Sequence, residues 1–189
     1  MGEFLQNADY IFEQLESQAR VDELVSLLLK PNHPEAHYNL GNCYKELENF
    51  EKAISCYEKA IKINPNYADA YNNLGIAYKG LGNDQEAINC YKKTIQLEPN
   101  HPEAHYNFGI ALKALGEVLQ AITYYEKAIE IKPNYADAYN NLGRIYTELG
   151  DFQKARNCYE QAIKSQPGNL GYFYALSNFK KEILNPNLR

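Results

Sequence analysis

Nowhere in its 189 residues does the chain gather lysine and arginine into a cluster, and 19 basic against 24 acidic side chains leave a formal charge of -5. That balance excludes a phosphate-neutralising surface, so no nucleic acid or anionic membrane is expected as a partner. Long hydrophobic runs are missing too. The strongest apolar cluster, Leu24, Val25, Leu27, Leu28 and Leu29, is short and flanked by charges, far below the roughly 18 to 20 residues that span a bilayer. Membrane insertion is therefore not expected. No phosphate loop of the GxxxxGK type and no nucleophile elbow occurs, so no enzyme and no cofactor is expected. A secretory leader is not visible, although Met1, Gly2, Glu3 and Phe4 read like a cloning scar that would hide the native start.

What the chain does have is a period. Prolines stand at 31, 65, 99, 133 and 167, always 34 residues apart. Cutting there gives segments at 34 to 67, 68 to 101, 102 to 135 and 136 to 169, which open PEAHYNLG, ADAYNNLG, PEAHYNFG and ADAYNNLG. Numbering places from the start of each segment, Leu40, Leu74, Phe108 and Leu142 fill the seventh, and Gly41, Gly75, Gly109 and Gly143 the eighth. Ala53, Ala87, Ala121 and Ala155 fill the twentieth, and Tyr57, Tyr91, Tyr125 and Tyr159 the twenty-fourth. The twenty-seventh holds Ala60, Ala128 and Ala162, with Thr94 as the departure. Leu40, Tyr44 and Leu47 recur at helical spacing, and Ile54, Tyr57 and Ile61 do so after a polar break at Glu48 and Asn49. Each segment is thus two amphipathic helices, which cannot bury their apolar faces alone and must stack. Residues 34 to 101 resemble 102 to 169 more closely than adjacent segments resemble each other, as a duplicated two-segment block would. The alternation of His37, Tyr71, His105 and Tyr139 is its clearest trace.

The small residues and the period together resemble the tetratricopeptide repeat, over residues 34 to 169. The resemblance implies an all-α fold, a right-handed α-solenoid of four complete helix pairs. Residues 1 to 33 then read as a degenerate N-terminal cap or one long helix, and residues 170 to 189 as a capping helix and tail. In that helix Leu170, Phe173, Leu176, Phe179 and Ile183 form the expected buried stripe, leaving Tyr172, Tyr174 and Leu184 as apolar excess.

Function should lie in a repeated surface. The resemblance implies that the first helix of each pair lines a concave face, where Asn39, Asn73, Asn107 and Asn141 all stand at place six. A primary amide both donates and accepts, so such a row can bracket an extended peptide backbone. It is similar to the asparagine ladder in the superhelix of O-GlcNAc transferase. The same amides can instead bond within the helix pairs. Around them lie Tyr38 and Tyr106, alternating with Asn72 and Asn140, then Asn42 and Arg144 with Ile76 and Ile110, and a row of Lys45, Lys79 and Lys113. Glu35, Asp69, Glu103 and Asp137 complement the helix dipoles first and contact ligand second. The carboxylate clamp that some relatives use for chaperone tails is excluded, because Tyr38, Glu103 and Asn107 stand where it needs cations.

Two other clusters have bland readings. His33 with His37, and His101 with His105, have metal-ligand spacing, but no carboxylate or cysteine completes a site and the histidines replace packing aromatics, so no metal is expected. Cys56, Cys90 and Cys158 share place twenty-three; equivalent places in neighbouring pairs lie about 8 to 10 Å apart, too far for disulfides, and Cys43 reads as a small core residue. Reduced thiols suit a cytoplasmic protein.

A non-catalytic scaffold binding a protein or peptide partner in the concave groove is the leading expectation. Two alternatives stand beside it. One is a homo-oligomer stacking end to end through Leu24 to Leu29 and the Phe173 to Leu184 helix. The other is the targeting region of a larger transferase-type enzyme.

Overall fold

The computed structural model describes residues 33 to 184, which form nine α-helices and no strand. The expected N-terminal element, Leu24 to Leu29 included, lies outside the described residues apart from His33. The helices are α1 (Pro34–Glu46), α2 (Phe50–Ile63), α3 (Ala68–Gly80), α4 (Asp84–Leu97), α5 (Pro102–Ala114), α6 (Val118–Ile131), α7 (Ala136–Glu148), α8 (Phe152–Ser165) and α9 (Leu170–Leu184). They fall into two compact units that divide between Pro99 and Asn100. The first holds the pairs α1/α2 and α3/α4, the second the pairs α5/α6 and α7/α8 together with α9.

Local chemistry sets the helix ends. The side chains of Asn49 and Asp151 accept hydrogen bonds from the Lys52 and Lys154 amides at 3.3 and 3.1 Å, capping α2 and α8. Asn64, Glu98, Lys132 and Gln166 end the second helices with ψ of 93, 89, 87 and 79°, because the proline that follows each of them disfavours helical backbone before it. Within each pair the turn needs a left-handed residue at place fifteen. Gly82, Gly116 and Gly150 supply it with φ near 80°, whereas the first pair uses Glu48 at φ 54°.

Packing follows the repeat. At place eight glycine is required by an aromatic ring rather than by a helix backbone: a Cβ on Gly75 would come 2.6 Å from the Tyr91 ring, and Gly41, Gly109 and Gly143 face Tyr57, Tyr125 and Tyr159 in the same way. The alanines at places twenty and twenty-seven are fully buried. Thr94 fits among them because its hydroxyl donates to the Cys90 and Ala68 carbonyls at 3.1 and 3.4 Å, leaving no stranded donor. In the first unit α3 packs on α2 around Ala53, Tyr57, Leu74, Ala77 and Cys90. In the second, α7 packs on α6, and α9 packs on α8 and α7.

The face that α9 buries differs from the expected stripe. Tyr172 and Phe179 are buried, with Ala175 and Leu176 partly so. Leu170 is 78% exposed, Phe173 45% and Ile183 36%. The helix keeps the repeat register, in which places three, seven and ten face the preceding pair. In complete pairs, place four meets the pair's own second helix, as His105 does at 5.8 Å from Tyr124, and place seven reaches it too, as Phe108 does at 4.3 Å. Among the described residues α9 has no such companion.

Candidate functional site

The polar residues singled out on the first helices are largely engaged with one another. In the first unit the Asn73 amide donates to the Tyr38 hydroxyl at 3.1 Å and to Asn42 Oδ1 at 2.8 Å. Asn42 Oδ1 also accepts from the Tyr57 hydroxyl at 2.8 Å. Tyr38 itself sits between the Tyr57 and Tyr67 rings, with centroids 6.0 and 5.0 Å away. Burial pushes its hydroxyl pKa up, so it is a neutral partner. The Asn72 amide donates to Asn73 Oδ1 at 3.4 Å, and the result is a closed polar cluster joining α1, α2 and α3. Asn39, at the same place as Asn73, is exposed.

The second unit repeats the tyrosine cradle and changes its surroundings. The Asn141 amide donates to the Tyr106 hydroxyl at 3.3 Å, and Tyr106 lies 5.8 and 4.9 Å from the Tyr125 and Tyr135 rings. Here, however, Ile110 stands where Asn42 stands in the first unit, and Arg144 where Ile76 stands. Tyr125 is buried and keeps a side-chain hydrogen bond to Asn141, but Ile110 offers it no acceptor. An open cleft of about 360 Å³ results, lined by Ile110, Lys113, Ala114, Tyr125, Asn141 and Arg144. Asn107 lies half-buried on α5. Further along, the enclosed Asn140 Oδ1 has no partner among the described residues, and α9 carries Ala175 at the place where asparagine stands in each pair.

The lysine row divides by partner. Lys79 pairs with Asp84 at 3.0 Å and Lys113 with Glu148 at 2.8 Å. Lys45 is half-buried, and burial lowers its ammonium pKa. Arg144 is exposed and enters none of the ion pairs formed among the described residues. The four first-helix acids all sit in first turns, as dipole partners should. Glu103 has further work: burial pushes its carboxyl up, but Lys132 at 3.0 Å and its own backbone outweigh that and hold it below its usual value.

His101 caps α5 through its side chain, Nδ1 accepting from the Ala104 amide at 3.2 Å, while His105 packs against Tyr124. Packing alone was expected of His101; the cap is an additional role. Among the described residues no group of three or more metal-ligating side chains comes together. All four cysteines are free thiols, three of them buried. Burial raises Cys90 to about 12 and Cys158 to about 11, so neither is a ready nucleophile. No described helix is long and apolar enough to cross a membrane.

Reading the residues singly did not reveal the hydrogen bond from asparagine at place six to tyrosine at place five of the preceding pair. Its signal is the 35-residue separation of Tyr38 from Asn73 and of Tyr106 from Asn141. The cleft also escaped notice, because it arises from two substitutions that matter only when superposed across the pairs.

Stacked helical hairpins with a recurring tyrosine-asparagine link between consecutive first helices define an all-α solenoid of the interaction-scaffold class. Sequence models of the tetratricopeptide repeat match residues 34–67, 68–101 and 100–167, and the chain belongs to that family. Among curated proteins, no sequence matches. Among solved structures, MamA is similar at 27% identity, covering 84% of this chain and 94% of its own, with a TM-score of 0.72. YrrB, described as a TPR protein with an unusual peptide-binding site, is similar at 25% identity over 89% of this chain and 87% of its own, with a TM-score of 0.66. A MamA RS-1 ArsTM double mutant, at 17% identity and a TM-score of 0.71, shares the fold.

Proposed function

We propose that the chain is a non-catalytic scaffold that holds an extended peptide segment against the first helices of its repeats. The observation that carries this is the open cleft between α5 and α7, where apolar Ile110 and Ala114 lie beside the polar groups of Asn141, Tyr125, Lys113 and Arg144. Such a mixture of a few oriented polar groups on an apolar floor is what a peptide-binding groove requires. The likeness to YrrB supports the same reading. Asn73 and Asn141 serve it mainly by holding consecutive first helices in register, since their amides already donate to tyrosine. Within the second unit Asn107 lies on the same helix as part of the cleft wall, and within the first unit Asn39, Lys45 and Lys79 stand on the first helices.

A peptide selected on the intact chain from a displayed library of extended sequences tests this. Filling the cleft by Ile110→Trp is expected to abolish binding while the circular dichroism spectrum stays helical. Unchanged affinity in that variant would overturn the assignment.

Self-association is a second reading, favoured by the apolar face of α9. Leu170, Phe173, Tyr174 and Ile183 stay exposed on a helix that, among the described residues, has no companion of the kind every complete pair has. Concentration-dependent mass in light scattering, lost in Phe173→Asp, is the expected outcome. A mass that stays monomeric at every concentration would remove this reading.

A further inference from the structure

The two units carry the same tyrosine cradle at different stages of closure, and the difference has a chemical sign. In the first unit, Asn42 takes hydrogen bonds from both Tyr57 and Asn73, and Ile76 holds place nine of the next pair. In the second, Ile110 removes that acceptor and Arg144 stands at the place of Ile76. The cleft therefore gains a guanidinium and loses a carbonyl, while the Asn141 amide donates to Tyr106 and Tyr125 lies buried beneath it in side-chain hydrogen-bond contact with Asn141. Lys113 adds an ammonium to the same wall. Its charge is matched by Glu148 at 2.8 Å, but that carboxylate is itself more than half exposed and is not among the cleft-lining residues. Arg144 has no such match among the described residues.

We infer that this cleft is an anion subsite that takes the side-chain carboxylate of a glutamate or aspartate within an extended peptide, held by Arg144 on a wall it shares with Lys113. The inference rests on the peptide-binding reading above and names the chemistry it selects. Guanidinium is suited to this task because its planar fork matches both carboxylate oxygens, and the apolar floor of Ile110 and Ala114 excludes competing water from one side. An internal residue fits better than a chain terminus, because the cleft is open and leaves the peptide free to continue in both directions. The first unit has no counterpart: its donors are already satisfied by Asn42, and apolar Ile76 stands where the cation would be.

The test uses the full chain and three blocked peptides of one extended sequence: an amidated peptide with a central Glu, its Gln analogue, and the Gln analogue with a free C-terminal carboxylate. Amide resonances of Lys113, Asn141 and Arg144 are followed by NMR titration. The Glu peptide is expected to bind saturably at these residues and the Gln analogue on the order of tenfold more weakly, the usual loss for one charge-assisted hydrogen bond. Arg144→Gln should erase that difference. So should Ile110→Asn, which restores the acceptor of the first unit and closes the cleft without adding bulk to the core. Equal binding of Glu and Gln peptides at the cleft would overturn the carboxylate assignment while leaving the groove standing. Preference for the free C-terminus alone would overturn the side-chain assignment. Binding of none of the three at α5 and α7 would overturn both this inference and the groove.

Discussion

Glu48 occupies the turn place where Gly82, Gly116 and Gly150 stand in the other pairs, and it does so at φ 54°. A residue with a Cβ is disfavoured there by roughly 1 to 2 kcal/mol, against which glycine's greater freedom in the unfolded chain costs about 0.4 to 1 kcal/mol. Glu48→Gly is therefore expected to stabilise the chain by about 0.5 to 1 kcal/mol, read as a higher midpoint in urea unfolding. No gain would mean that the first turn relaxes around its glutamate. From the sequence, Glu48 was legible as part of a polar break between helices. Its backbone conformation was not, because the cue that marks it in the other pairs is glycine itself.

Helices meet through a link that neither supplies alone. Asn73 on α3 reaches Tyr38 and Asn42 on α1, so removing its amide takes a donor from both half-buried partners and leaves Asn42 with Tyr57 alone. Asn73→Ala is expected to cost about 1 to 2 kcal/mol of stability, whereas Asn39→Ala, at the equivalent but exposed place, should cost almost nothing. Chemical denaturation of the two variants separates them, and equal losses would refute the structural role of Asn73. Substituting all the asparagines together would mix this structural loss with any loss of binding. The α9 helix gives a second case. Its apolar pattern permitted two stripes, one through Phe173 and one through Tyr172, sharing Leu176 and Phe179. The choice between them is made by the surface of α7 and α8, where Ala136 and Ala162 receive Tyr172 and its hydroxyl donates to Asp137 at 2.6 Å. Helical periodicity alone cannot see that surface.

For the molecule as a whole, stability at high pH is set by many buried acids that must stay protonated. Cys90 and Cys158 rise from an ordinary 9.0 to about 12 and about 11, and Tyr67, Tyr78 and Tyr146 from 10.0 to about 12, in each case chiefly through burial. The sign follows from linkage. Below pH 9 both folded and unfolded chains keep these protons, and the contribution is complete; as pH rises toward 11 and 12 the unfolded chain ionises first and folding weakens. Urea midpoints are expected to fall as pH rises from 9.0 toward about 11 and about 12, and Cys90→Ala should remove part of that fall. A midpoint independent of pH over that range would show that these groups are as exposed when folded as when unfolded. Native thiols should likewise react slowly with an aromatic disulfide reagent until the chain unfolds.

The 34-residue period, the small residues at places eight, twenty and twenty-seven and the prolines determined the helix pairs and the family without any coordinates, because each repeat must solve the same local packing problem. A row of asparagines at place six was equally legible. Which of them are consumed in holding first helices together, and where the row opens into a cleft, only the tertiary structure decided. The physical reason is that a hydrogen bond depends on what stands across from the donor. Asn42 and Ile110 share a place in the repeat, yet one accepts from its neighbours and the other lines a cleft.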